Sequence, residues 1–269
     1  MTDAEQPYRA RAIAEGFGAD AEAYDRFRPH YPLGLADAVL EDLPAAARTL
    51  DVGIGTGLSA LPFREAGCRI HGVEVDERMA QLARRRGFDV DIARFEEWDA
   101  AGRAFDLVIA GQTWHWIDPV RGAAKARDVL APGGRIALFW NAGDPAPEIA
   151  AGFAAAYEGV DTGLPFTPWS TPQREGYRAM LDTAADGIRA SAGFDEPEWV
   201  RVDWQAEITR EDWLAQVPTS GGHNRIAPDR LDELLGAMGA VIDRAGGAFT
   251  MEYATLGVLA RRRGVDQGR

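Results

Sequence analysis

The 269-residue chain reads as an α/β fold, an open and largely parallel sheet of seven strands with helices on both faces. Three observations predict it. From Leu50 onward, short apolar runs alternate with segments of helix length, the pattern of strands joined by crossover helices. The first run ends in a turn with glycine at three alternate positions, Leu50-Asp51-Val52-Gly53-Ile54-Gly55-Thr56-Gly57-Leu58. The second ends on an acid, in Gly72-Val73-Glu74-Val75-Asp76, about twenty residues further on.

Each element has a local reason. Tyr24 to Pro32 and a helix from about Leu33 to Leu43 form an N-terminal flap. Thr49 to Val52 is the first strand, and Leu58 to Glu65 a helix with Leu58 and Leu61 on one face. Arg69 to Glu74 is the second strand. Asp76 then caps a helix that turns Met79, Leu82 and Ala83 inward and closes at Gly87. Asp89 to Ala93 and Phe105 to Ala110 are the third and fourth strands. Pro119 opens a helix ending near Leu130, and Pro132-Gly133-Gly134 turns the chain into a fifth strand, Arg135 to Asn141. Residues 143–196 read as an insertion of helix and loop, holding Pro145, Pro147, Pro165, Pro168 and Pro172 with Phe166, Trp169 and Tyr177. Such a segment behind a strand's carboxyl end commonly covers a ligand site. Glu198 to Ile208 sets Trp199, Arg201 and Asp203 against Val200, Val202 and Trp204, which is strand periodicity. Helices at about Arg210 to Val217 and Pro228 to Ala245 and a last strand, Phe249 to Ala260, complete the fold. One domain accounts for residues 1–269: a flap and helix at 1–45, a core at 46–142, a covering insertion at 143–196, and C-terminal strands and helices at 197–262.

Composition excludes several classes. A net charge of −13 argues against a nucleic-acid partner, which would need a basic field. Arg84-Arg85-Arg86 falls at a helix C-terminus, where cations oppose the dipole, and Arg261-Arg262-Arg263 follows the last strand. Cys68 is the only cysteine, so an intramolecular disulfide and a cysteine-built zinc site are both excluded and a reducing cytoplasm is the expected location. Residues 1–18 lack the apolar centre of a signal peptide, and no apolar run is long enough to span a bilayer. A small molecule is the expected partner; the oligomeric state stays open.

The glycine turn separates two cofactor classes. A dinucleotide fingerprint has glycine at the first, third and sixth positions, and the sixth here is Leu58. An acid opening the turn, Asp51, would also repel a pyrophosphate. The pattern acidic-x-Gly-x-Gly-x-Gly with Glu74 closing the second strand resembles the class I S-adenosylmethionine-dependent methyltransferases. The resemblance continues in Gly102-Arg103-Ala104-Phe105-Asp106-Leu107-Val108-Ile109-Ala110 and in Val129-Leu130-Ala131-Pro132-Gly133-Gly134-Arg135. With Tyr24-Asp25-Arg26-Phe27-Arg28-Pro29-His30-Tyr31-Pro32 and Thr113-Trp114-His115-Trp116, it narrows to a subgroup related to trans-aconitate methyltransferases. It covers roughly residues 20–142 and implies a Rossmann-like, seven-stranded methyltransferase sheet with S-adenosylmethionine as cofactor.

On that reading Gly53, Gly55 and Gly57 let the cofactor approach the backbone, Glu74 accepts two hydrogen bonds from the ribose diol, and Asp51 lies near the cofactor's ammonium group. The resemblance further implies Phe95 and Glu96 at the adenine and Arg28 at the cofactor carboxylate. Val75 or Met79 packs on the adenine face, and Gln112 faces the methionine part. Tyr24, Tyr31, Trp114, Trp116, Trp140, Phe166 and Trp169 could form an aromatic cage over the sulfonium by cation–π attraction. Methyl transfer chiefly requires alignment, so a base is optional. His115, after the fourth strand, and His223, in the loop Thr219-Ser220-Gly221-Gly222-His223-Asn224, are the candidate catalytic residues; His30 shapes the flap and His71 is structural. No metal is expected, because Asp51, Glu74 and Asp118 are assigned to cofactor or structure and no histidine pair has ligand spacing. Arg174, Arg178, Arg189 and Arg225 make no anion cluster, so a tricarboxylate acceptor is not supported. The expected reaction is methylation of a small, partly apolar molecule at oxygen, hydroxyl or carboxylate. Methylation at nitrogen or carbon of a natural-product intermediate, and a catalytically silent cofactor-binding regulator, remain alternatives. Tyr24 to Pro32 and residues 143–196 are expected to form a mobile cover.

Overall fold

The computed structural model describes residues 17–164 and 167–264. Seven strands form one sheet: β1 (Arg48–Val52), β2 (Arg69–Glu74), β3 (Asp89–Ile92), β4 (Phe105–Gly111), β5 (Leu130–Pro145), β6 (Glu198–Thr209) and β7 (Ala248–Arg261). Their order is β3-β2-β1-β4-β5-β7-β6. The β1–β2, β1–β4, β2–β3 and β4–β5 pairs are parallel, and β7 lies antiparallel between β5 and β6. The strand order reverses at β1, which pairs with both β2 and β4. In an open α/β sheet the crevice beyond the carboxyl ends of strands at that reversal is where ligands bind.

The helices are α1 (Ala21–Phe27), α2 (Gly34–Leu40), α3 (Leu61–Glu65), α4 (Glu77–Arg85), α5 (Pro119–Val129), α6 (Pro147–Gly159), α7 (Gln173–Ser191), α8 (Arg210–Gln216) and α9 (Pro228–Arg244). Side chains alternate across each strand, and the two faces build separate cores. Val108, Ala110, Ile136 and Leu138 face α5 and α7 through Ala123, Ala126, Leu181 and Ile188. Leu107, Ile109, Ala137 and Phe139 face α2 and α3 through Leu35, Val39 and Phe63. A third cluster joins α6, α8 and α9 to β7: Phe153, Trp213, Leu234, Met238 and Ile242 pack with Phe249, Met251 and Tyr253.

Two sequence expectations change. The helix from Leu58 starts only at Leu61, because the chain spends residues 57–60 in tight turns, with Ala60 N donating to Gly57 O at 3.2 Å. The fifth strand begins at Leu130, ahead of the expected Arg135. Gly134 O accepts from Arg262 N at 2.7 Å and Gly133 N donates to Arg262 O at 3.0 Å, so the Pro-Gly-Gly segment is held against the end of β7. The insertion at 143–196, expected as helix and loop, holds two helices, α6 and α7, and α7 supplies part of the main core. Asp76 caps α4 as expected, its carboxylate accepting from Arg78 N at 2.9 Å. Among the described residues, no helix is long and apolar enough to cross a membrane.

Candidate active site

At the end of β1 the three glycines all take left-handed φ: 67° at Gly53, 57° at Gly55 and 94° at Gly57. Their surroundings differ. A Cβ on Gly53 would lie 2.2 Å from Thr113 Cγ2, and one on Gly57 would lie 2.6 Å from Phe88 Cε2. At Gly55 the nearest atom is Met79 Cε at 3.5 Å, so this glycine leaves its face open. Thr113 pins the turn from the β4 side, its hydroxyl donating to Gly53 O at 3.2 Å or Gly111 O at 3.1 Å.

Glu74 closes β2 beside this turn. Its Oε2 accepts from Gly55 N at 2.8 Å, and Oε1 accepts from Val75 N at 2.8 Å and Asp76 N at 3.0 Å. Burial raises its pKa while these three backbone donors oppose the rise. An ionised carboxylate offers about four acceptor positions, and Glu74 also forms part of the cavity wall. Asp51 is buried completely, with Oδ2 accepting from Ser59 Oγ at 2.7 Å and Oδ1 lacking a partner among the described residues. Burial chiefly, with the neighbouring Glu74 charge, pushes its pKa up to about 8 against the Ser59 hydrogen bond. Asp51 is not on the cavity wall; it lies behind the glycine turn.

A cavity of about 250 Å³ opens over the carboxyl ends of β1, β2 and β4. Gly53, Gly55, Glu74, Val75, Met79, Phe95 and Glu96 line its β1–β3 side. Gln112, Thr113, His115 and Trp116 line it from the segment after β4, Tyr24 and Arg28 from α1 and its end, Tyr177 from α7, and Gly221 from the turn before α9. An adjoining recess of about 50 Å³ adds Tyr31, Ser59 and Asn141. Gln112 holds a left-handed φ of 56°, with its amide donating to Phe139 O at 2.9 Å and its side chain to Asn141 O at 3.1 Å. Such a conformation in a non-glycine residue carries strain, which concentrates at functional positions. The Arg28 guanidinium lies 5.2 Å from the Tyr24 ring centre; Nη1 reaches Ser220 Oγ at 3.4 Å and the buried Nε has no partner among the described residues.

Several expected site residues stand elsewhere. Gly57 is not on the wall, and its missing Cβ makes room for Phe88. Of the seven aromatic candidates, Tyr24 and Trp116 line the cavity and Tyr31 the recess, where its ring packs edge-on against Phe139 at 5.1 Å. Trp114 and Trp140 belong to the main core, and Trp169 packs with Phe153 and Trp213 beneath α6. Phe166 lies outside the described residues. His223 is buried off the wall, with Nε2 2.6 Å from the Tyr157 hydroxyl. Burial lowers its pKa, and it braces the turn that carries Gly221 rather than facing a substrate. His115 does line the cavity; its Nδ1 accepts from Trp140 Nε1 at 3.2 Å, and burial pushes its pKa down to about 4. His71 is tied to Asp91 at 3.0 Å, away from the site.

Thr113, Tyr177 and Gly221 are wall residues that the sequence did not single out. Thr113 and Gly221 stand inside motifs quoted for their histidines, and Tyr177 is one of the aromatics of 143–196.

Known proteins place this site in a family. A profile described as a methyltransferase domain matches residues 50–138. An uncharacterised methyltransferase of Mycobacterium tuberculosis is 36% identical over 138 residues, 50% of this chain and 55% of that one, so the chain spans about half the length of its mycobacterial relatives. The malonyl-[acyl-carrier protein] O-methyltransferase of Enterobacter lignolyticus is 31% identical over 190 residues, 68% of this chain and 70% of that one. Among solved structures, a protein assigned as a type II methyltransferase from Anaeromyxobacter dehalogenans superposes with a TM-score of 0.66 at 24% identity, covering 88% of this chain and 99% of that one. Phosphoethanolamine N-methyltransferase 2 of Haemonchus contortus, in complex with S-adenosyl-L-methionine, gives a TM-score of 0.53 at 15% identity, over 96% of this chain and 60% of that one. The sheet and cavity define an α/β cofactor-binding protein of the Rossmann-like kind. The chain belongs to the S-adenosylmethionine-dependent methyltransferases. The trans-aconitate-related subgroup rests on the resemblance of Tyr24–Pro32 and Thr113–Trp116 alone.

Proposed function

We propose that the protein transfers a methyl group from S-adenosylmethionine to an oxygen of a small, partly apolar molecule. The observation that carries this reading is the composition of one cavity. Gly55 and Glu74 offer a Cβ-free turn and a carboxylate on its β1–β2 side, while Arg28, Gln112, His115, Trp116 and Tyr177 bring hydrogen-bonding and aromatic groups from other elements. The residues fit the cofactor. Glu74, with three of its acceptor positions filled by backbone amides, would take a ribose hydroxyl at the fourth, Val75, Met79 and Phe95 the adenine with Glu96 at its edge, and Arg28 the carboxylate, through a buried Nε that has no partner among the described residues. When bound, S-adenosylmethionine supplies an electrophilic methyl on a cationic sulfur that departs as a neutral thioether. The protein's own part is to hold the acceptor in line and exclude water. Oxygen is favoured as acceptor by the malonyl-[acyl-carrier protein] O-methyltransferases among the relatives. A reducing cytoplasm suits a chain whose single cysteine, Cys68, is buried and unpaired.

Calorimetry with S-adenosylhomocysteine tests the reading. The protein should bind it and not NAD, and Glu74→Ala should weaken binding at least tenfold, since charge-assisted hydrogen bonds are worth about 1.5–3 kcal/mol each. Unchanged affinity in that variant would remove the ribose role from Glu74. Tight NAD binding would remove the cofactor reading itself.

A further inference from the structure

By residue type and place, His115 suits a general base. Its surroundings say otherwise. The indole of Trp140 can only donate, so His115 Nδ1, 3.2 Å from Trp140 Nε1, must present its lone pair, and the proton of the neutral ring sits on Nε2. Trp140 cannot swing away: it is completely buried, and its backbone position in β5 is paired with Leu256 of β7. The imidazole is wedged against Trp116, ring centres 4.6 Å apart. Nε2 has no protein partner among the described residues and is not among the sealed polar atoms, while the ring itself lines the cavity. Full protonation would set an Nδ1–H against the Trp140 N–H, two donors face to face in the core.

We infer that His115 is a specificity residue that presents a fixed Nε2–H to an oxygen of the methyl acceptor, with Trp140 as the positioning residue that holds the ring in that tautomer. This rests on the methyl-transfer reading of the cavity. The acceptor then brings an oxygen that is already anionic: the new bond forms from a lone pair it holds, and no proton has to be placed on the ring. The other titratable groups on the wall are Tyr24, Arg28, Glu74, Arg94, Glu96 and Tyr177. Glu74 stands at the end of β2, whereas the Glu96 carboxylate reaches the segment that carries His115, its Oε1 accepting from Asp118 N at 3.3 Å. Burial alone depresses the ring's pKa, which agrees with a ring that stays neutral.

The chain has four histidines, so imidazole nitrogens labelled with ¹⁵N can be followed one by one in the complex with S-adenosylhomocysteine. The signal that disappears in His115→Gln should report an Nε2–H tautomer with an unprotonated Nδ1 and no titration between pH 5.5 and 8. Formate, the smallest carboxylate probe, should shift that Nε2 proton downfield. Trp140→Phe should convert the signal to a mixture of tautomers, whereas a residue that merely filled space would leave it unchanged; the wild-type measurement stands even if that variant does not fold. An Nδ1–H tautomer, a titration near neutral pH, or an Nε2 proton indifferent to formate would each overturn the inference. Absence of S-adenosylhomocysteine binding would instead overturn the proposed function, so the two failures are told apart.

Discussion

Asp51 offers the sharpest quantitative test, because a completely buried carboxyl with one unpartnered oxygen stabilises the fold only while it keeps its proton. Its pKa is pushed from 3.8 up to about 8 by burial. In the unfolded chain the group ionises above about pH 4, while the folded protein holds the proton until about pH 8. The folded state therefore binds more protons across this window, and stability falls as pH rises through it, by about 1.4 kcal/mol per unit. Asp51→Asn removes this dependence. The Asn carbonyl keeps the Ser59 hydrogen bond, and the amide nitrogen that replaces Oδ1 is left without a partner at a cost of about 1–3 kcal/mol, equal at every pH. The variant's stability relative to wild type should thus climb by about 4 kcal/mol between pH 5 and pH 8. Urea unfolding of the cofactor-free protein, followed by fluorescence of its eight tryptophans, measures this directly. A stability difference that stays the same at pH 5 and pH 8 would refute the argument, since it would mean that Asp51 is ionised in the folded protein throughout.

The glycines should separate packing from binding. Gly57→Ala should cost about 2 kcal/mol or more, from left-handed strain and the Phe88 contact, without altering S-adenosylhomocysteine affinity; a large loss of affinity at unchanged stability would place Gly57 back at the ligand. Gly55→Ala meets no atom closer than 3.5 Å, so its stability cost should be the left-handed strain alone, about 1–2 kcal/mol, and it should weaken affinity as well. Hydrogen exchange with S-adenosylhomocysteine should show new protection in α1, in residues 217–226 and around Tyr177, the segments that reach the cavity from outside the sheet; protection confined to residues 50–115 would mean that nothing closes over the site. Methyl transfer should survive chelator, since no group of three His, Cys, Asp or Glu among the described residues could hold a metal; loss of activity with rescue by magnesium would reverse this.

What the sequence makes legible is whatever its own spacing encodes. Glu74 and Gly55 lie 19 residues apart, and parallel pairing of β1 with β2, Val52 opposite Val73, brings strand end and turn together with no information from elsewhere in the chain. The antiparallel place of β7 between β5 and β6 is not encoded that way, because alternation marks a strand and not its direction or neighbours. Trp114 and Trp116 show a finer limit. They read as equivalent, but residues 114–116 form a 3₁₀ turn with three residues per turn, so positions two apart point in different directions: Trp114 enters the core beside Phe95, while Trp116 remains on the cavity. His115 sits between them with its ring bridging both environments. Its residue type and its place after β4 are local facts, which is why it reads as a base. The group that decides its protonation, Trp140, is 25 residues away and reaches it through the pairing of β4 with β5, Gly111 opposite Phe139. The chemistry available to a side chain is local in sequence, but the choice between accepting and donating a proton belongs to the sheet.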